Sequence, residues 1–250
     1  MKVTILGCGT SAGVPRIGNF WGNCDPAEPK NRRRRVSILV EEGDTAVLVD
    51  TSPDLREQAL SANITRLDGV LYTHDHADHT HGIDDLRPLA QDMKRRIDIY
   101  GNHRTLSVLE QRFSYIFNSV SGYPAIASAH EIAGPFAIGS IDIIPFKQIH
   151  GEMETFGFRF GPIAYSTDLN VLPEESIEIL RGVDTWIVDA LRYEPHPTHP
   201  HLDLTLSWIA KVKPRRAILT HMTWDMDYAT LKRDLPAGVE PAFDGMVITL

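Results

Sequence analysis

The stretch "YTHDHADHTHG", residues 72–82, places four histidines and two aspartates in eleven positions. It follows the apolar run "LDGVL", which reads as a short buried strand, so the imidazoles are delivered at that strand's C-terminal end. Gathering several desolvated imidazoles and carboxylates at one point is costly unless a cation shares them. Imidazole nitrogen and carboxylate oxygen are the usual ligands of zinc, manganese and iron. The H-x-H-x-D-H spacing of His74, His76, Asp78 and His79 therefore predicts a metal centre. A solvated polar loop is the plain alternative, and for one isolated histidine it would be preferred.

A centre with two ions needs roughly seven or eight ligand positions, counting a bridge. The later sequence supplies three candidates. His150 closes the apolar run "DIIPFKQIH", Asp168 closes "IAYSTD" and His221 closes "RAILTH". Each stands where a strand gives way to a loop, the usual place for side chains that rigid strands aim at one edge of a sheet. Singly each is more ordinary than functional; in this order, together, they are not.

The remaining pattern bounds the architecture. The chain of 250 residues is 42% hydrophobic, enough for one sizeable domain spanning 1–250. "KVTILG" (2–7) reads as a strand, residues 8–34 are broken by glycine and proline, and "RVSILVEEGDTAVLVDTS" reads as two strands joined at Gly43-Asp44. "PDLREQALSAN", "GIDDLRPLAQDMK", "HRTLSVLEQRFSYIF" and "TLSWIAKV" carry helical periods. "RIDIYG", "FAIGSIDIIPFKQIH", "ETFGFRFGPIAYSTD", "TWIVDAL", "RAILTH" and "MVITL" read as strands. Strand-rich stretches in both halves with interspersed helices favour two sheets flanked by helices over a doubly wound parallel sheet. No run of 18 apolar residues predicts a membrane span. Two cysteines, Cys8 and Cys24, leave no disulfide framework, so a reducing cytoplasm is expected.

Asp50 in "LVDTS", the 74–79 cluster, His150, Asp168 and His221 together resemble the metallo-β-lactamase-fold hydrolases, over most of the chain. The resemblance implies an α/β class αββα four-layer sandwich of two mixed sheets flanked by helices, with the site at one edge of the sheets. It implies two divalent ions, Mn²⁺ or Zn²⁺. His74, His76 and His150 would hold one, and Asp78, His79 and His221 the other. Asp168 would bridge them, and Asp50 would support the ligands from behind.

Fold alone settles no reaction. "LGCGTSAGVPR" followed by "NRRRRVSILV" resembles the opening of the phosphodiesterase branch that holds ribonuclease Z and the PhnP cyclic phosphodiesterases. In "HPTHPHLDLTLS" the same resemblance makes His201 an additional catalytic histidine, with His196 and His199 as ordinary loop residues. Asp78 and His201 are thus the residues expected to carry catalysis. No cysteine follows Cys24, which disfavours the lactamases that use a late cysteine ligand, and Cys24 alone cannot form the structural zinc site often present in the PhnP branch. Of Arg32–Arg35, at least two are expected merely to be solvated. Seventeen residues separate His150 from Asp168, too few for a tRNA-gripping arm, and the net charge is −8.

The expectation is therefore a metal-dependent phosphodiesterase acting on small cyclic or nucleotide-like phosphodiesters, with nucleic acid and membrane disfavoured as partners and a homodimer plausible. A glyoxalase II-type thioester or lactone hydrolase, a ribonuclease Z-like endonuclease and a non-catalytic metal-binding protein stand as alternatives.

Overall fold

Fourteen strands form two seven-stranded sheets in the computed structural model, which describes residues 1–250. The first sheet takes β1 (Lys2–Gly7), β2 (Ser37–Glu42), β3 (Thr45–Val49), β4 (Gly69–Leu71), β5 (Ile97–Gly101) and β6 (Ala127–Glu131). The second takes β7 (Phe136–Ile138), β8 (Ile141–His150), β9 (Met153–Phe160), β10 (Ile163–Ser166), β11 (Thr185–Asp189), β12 (Arg216–Thr220) and β13 (Val239–Pro241). Within each sheet neighbours in sequence are neighbours in space, and β14 (Val247–Thr249) returns to the first sheet beside β1.

Each sheet has an antiparallel part and a parallel part. β14-β1-β2-β3 and β7-β8-β9-β10 are antiparallel, whereas β3-β4-β5-β6 and β10-β11-β12-β13 are parallel. Parallel neighbours need crossover connections, usually helical. The first sheet's crossovers hold α1 (Leu55–Ser61), α2 (Ala77–Thr80), α3 (Leu86–Met93), α4 (His103–Arg112) and α5 (Ser114–Phe117). The second's hold α6 (Glu174–Leu180), α7 (Leu202–Val212) and α8 (Tyr228–Asp234).

Strand alternation separates two cores. Val3, Ile5, Ile38, Val40, Val47, Val49 and Leu71 join a 37-residue cluster with the second sheet, which extends to Ile177, Trp208 and Leu231 on α6, α7 and α8. The intervening Leu6, Leu39, Leu48, Val70 and Tyr72 point the other way, into a 17-residue cluster with Leu55, Leu86, Leu106 and Leu109 on α1, α3 and α4. This is the period of two expected of a sheet buried on both faces. It gives the four layers helix, sheet, sheet, helix, the α/β sandwich expected from the sequence. The helix expected over "HRTLSVLEQRFSYIF" is interrupted at Phe113, whose φ of −126° leaves the helical region, so α4 and α5 are separate pieces. Pro88 is accommodated near the start of α3, where the amide hydrogen it lacks has no helical partner.

Candidate metal centre

The parallel strands converge on one rim. Asp50 follows β3, the histidine cluster follows β4, Asp168 lies two residues beyond β10, Asp189 ends β11 and His221 follows β12. All five positions are at strand C-terminal ends, where ligands bind in open α/β sheets. His150 closes β8 at the same rim. Asp50, Asp168 and His221 adopt φ of +62°, +53° and +57°. A left-handed backbone is uncommon outside glycine and is most tolerated by Asn, Asp and His. Here it turns each side chain out of its strand.

The seven expected ligands fall into two groups that share one residue. His74, His76, His150 and Asp168 offer ligand atoms all within 4.8 Å of one another, and so do Asp78, His79, Asp168 and His221. Asp168 presents a different oxygen to each. Its Oδ1 lies 3.1 Å from His79 Nε2 and 3.4 Å from His221 Nε2. Its Oδ2 lies 3.7 Å from His74 Nε2 and 3.9 Å from His150 Nε2.

Supporting hydrogen bonds set the imidazole tautomers. His79 Nδ1 donates to Asp50 Oδ2 at 2.8 Å, and His150 Nδ1 donates to the Thr198 carbonyl at 2.7 Å. The Thr73 hydroxyl donates to Asp50 Oδ2 (2.8 Å) and so accepts from His74 Nδ1 (3.0 Å). In each ring the hydrogen sits on Nδ1 and the Nε2 lone pair faces the centre, the arrangement by which second partners orient metal-binding histidines. His74 Nε2, His79 Nε2 and both ring nitrogens of His221 are buried without a hydrogen-bond partner. Unpaired buried nitrogens of this kind are rare, and a cation at each group would satisfy the Nε2 atoms, while His221 Nδ1 faces Asp189 at 3.9 Å. The residues present therefore fit divalent ions.

Electrostatics point the same way. Burial alone would raise the Asp168 carboxyl, but His221, His79 and His199 hold it well below its usual range. Burial would lower His221, yet Asp168 and Asp189 push it up to about 9. His74 is driven well below the usual imidazole range by burial and by His79. In the absence of an ion, protonated rings neutralise the carboxylates.

The structure differs from the sequence reading first in the histidines that precede α7. His199, not His201, enters the centre. The His199 ring lies 4.5 Å from that of His150 and stacks on that of His221 at 4.8 Å. Its Nε2 is 3.7 Å from Asp168 Oδ2, while its Nδ1 donates to Asp189 Oδ2 at 2.9 Å. His201 instead occupies the N-cap of α7, where its carbonyl accepts from Thr205 N and its side chain makes no capping bond. The reason is geometric: the helix starts at Leu202, so the residue that precedes it is committed to the cap. His196 is a neighbour of His199, with ring centroids 5.2 Å apart.

Asp189 was also missed. It holds His199, and its Oδ2 accepts from Asp168 N at 3.1 Å. Its signal was available, since "TWIVD" ends in an aspartate just as "AVLVD" does.

The arginine run proves mostly structural. Arg33 is buried and donates to the Thr223 and Met226 carbonyls at 3.0 and 2.6 Å. Arg34 pairs with Asp244 and Arg35 with Asp54, each at 3.0 Å. Only Arg32 is exposed. Cys8 and Cys24 are both free and buried.

A double-sheet sandwich with a His/Asp cluster at its rim is the architecture of the metallo-β-lactamase fold. Residues 45–222 match the beta-lactamase superfamily domain, and the chain belongs to that family. It superposes with a TM-score of 0.92 and 40% identity on the crystal structure of a new diphosphatase from the PhnP family, covering 100% of this chain and 97% of that one. Zn²⁺-bound PqqB from Methylobacterium extorquens shares the fold at a TM-score of 0.78 and 19% identity, covering 100% of both chains. An octanoyltransferase of Porphyromonas gingivalis is 31% identical over 98% of this chain and 51% of its own length. The chain spans about half the length of the curated relatives it matches. No helix is long and apolar enough to cross a membrane.

Proposed function

We propose that this chain is a dinuclear phosphoester hydrolase that cleaves small phosphodiesters or diphosphates. The observation that carries this reading is Asp168, whose two carboxylate oxygens face two separate ligand groups. When bound, two divalent ions, manganese or zinc, would supply an activated water and positive charge for phosphoryl oxygens. His199 is held by Asp189 with its Nε2 directed into the centre, a position from which it donates a proton to the departing oxygen or a hydrogen bond to phosphate. This role replaces the one expected of His201. Asp78 serves as a ligand, its Oδ2 3.7 Å from His221 Nε2.

The likeness to a PhnP-family diphosphatase supports phosphorus over carbon as the site of attack. The fold supports a small substrate. The residues between His150 and Asp168 are used by β9 and β10, so no arm extends from them to grip a long polymer.

The test is reconstitution with manganese and with zinc, followed by elemental analysis. Kinetics on bis(p-nitrophenyl) phosphate, a nucleoside diphosphate diester, a thioester and a lactone then assign the reaction. About two ions per chain, with phosphorus substrates preferred, is the expected result. Asp168→Ala should lower occupancy at both positions. One ion under excess metal, or activity confined to the thioester or lactone, would reject the proposal.

A further inference from the structure

The fourth histidine of the opening motif, His81, belongs to neither ligand group. It lines a cleft of about 530 Å³ together with His76, Ala77, Arg112 and Phe113. That volume lies within the range of small-molecule sites, roughly 300–1,000 Å³. His76 is a ligand candidate of the first group, so the cleft opens directly beside the centre.

We propose that this cleft binds the half of the substrate that leaves, and that Arg112 and His81 recognise a second phosphate carried on it. This rests on the phosphoester reading above and specifies its substrate: a diphosphate, or a diester with a phosphate on the departing group. Three observations carry it. Arg112 is held in place by its Nη1 bond to the Asp75 carbonyl at 2.7 Å, while the residue as a whole stays exposed. A tethered guanidinium with free donors suits a tetrahedral anion. His81 is exposed and its ring packs edge-on to Phe113 at 5.6 Å, which fixes it at the cleft wall.

The third observation is charge. The cleft's lining holds no carboxylate, and Asp75, whose carbonyl tethers Arg112, pairs its side chain with Arg104 at 3.0 Å. In a chain of net charge −8 the cleft therefore presents donors with no acid in its lining.

The experiment compares two substrates on the manganese-loaded protein. A dinucleoside diphosphate carries a second phosphate on its leaving half, and bis(p-nitrophenyl) phosphate does not. Arg112→Met should raise KM for the diphosphate roughly 10- to 100-fold, the loss expected for charge-assisted hydrogen bonds. That loss should exceed the loss on bis(p-nitrophenyl) phosphate by at least about fivefold, with Arg112→Lys recovering part of it. Arg181→Met, which breaks an exposed pair with Glu178 on α6 and does not line the cleft, should show no such difference between substrates.

Calorimetric titration of the metal-free protein with AMP is the second readout. AMP should bind more weakly by a similar factor in Arg112→Met and in His81→Gln. Equal losses on both substrates, or AMP binding that neither substitution alters, would overturn the proposal. If the wild-type protein cleaves neither phosphorus substrate, the phosphoester reading falls. AMP binding lost in Arg112→Met would then still uphold the cleft as a phosphate site, and unchanged binding would sink it.

Discussion

At the residue scale, His199 and His201 make the sharpest contrast. His199→Ala should leave the ions bound and slow the reaction by ~10²–10⁴, the range for removing a general acid or a strong oxyanion contact. Kinetics with good and poor leaving groups, beside elemental analysis, check both halves. His201→Ala should change rates only slightly, since its side chain takes no part in the cluster. Protons at the centre give a second prediction. Burial opposes its charge, but Asp168 and Asp189 raise His221 to about 9, so the metal-free ring is protonated below that pH. A ligand must be neutral, so binding expels a proton and affinity weakens as pH falls below about 9, levelling off above it. Titrating zinc in buffers of different ionisation enthalpy counts the protons released. No release at pH 7 would mean that His221 does not act as a ligand.

At the scale of elements, the segments that carry ligands are fastened by backbone contacts that leave little room. Gly82 ends the histidine motif, and a Cβ there would meet the Ser52 carbonyl oxygen at 2.0 Å. Its amide also donates to the Thr51 carbonyl at 2.9 Å, which ties the motif to the loop after Asp50. Gly82→Ala must push apart the two loops that hold Asp50 against His79. It should cost ~1–3 kcal/mol, as overpacking does, and weaken metal binding with it. Denaturant melts and metal titration of this variant give the two numbers. Arg33 plays a comparable role for the loop after His221. Arg33→Met strands the Thr223 and Met226 carbonyls, at ~1–3 kcal/mol each, and chemical denaturation should report the loss.

At the scale of the whole molecule, the centre lies where the two sheets meet, so metal held there would join parts of the fold far apart in sequence. Ligands bound only by the native state stabilise it by mass action, ~2.7 kcal/mol at a hundredfold excess over Kd. Chelation should therefore lower Tm, and re-addition of metal should restore it in step with occupancy. Asp168→Ala should be insensitive to chelator under the same conditions. A wild-type Tm unmoved by chelation would separate the cluster from any resident metal.

Much of the fold was legible because its signals are local. Period-two hydrophobic runs bounded by glycine located most strands, and each expected ligand stood at the end of such a run. The residues with weak local signals escaped. β6 has a single buried residue, Ala127, in its five positions, "ASAHE", and α6 and α8 are seven-residue helices whose stability comes from packing. Register in "HPTHPH" was the other failure. Three histidines alternate with proline and threonine, and no local rule separates them. The choice of His199 depends on Asp189 arriving from β11 and on α7 beginning at Leu202, both properties of the packed chain. His81 is a similar case: composition put it in the motif, but only the approach of Arg112 and Phe113 from α4 and its end made it part of a cleft. The residues of the cluster were thus readable in the sequence, since metal chemistry demands particular side chains at strand ends. Which histidine faces the cluster, and what lines the cleft beside it, was decided by tertiary structure, because those depend on distances between segments that the chain brings together only on folding.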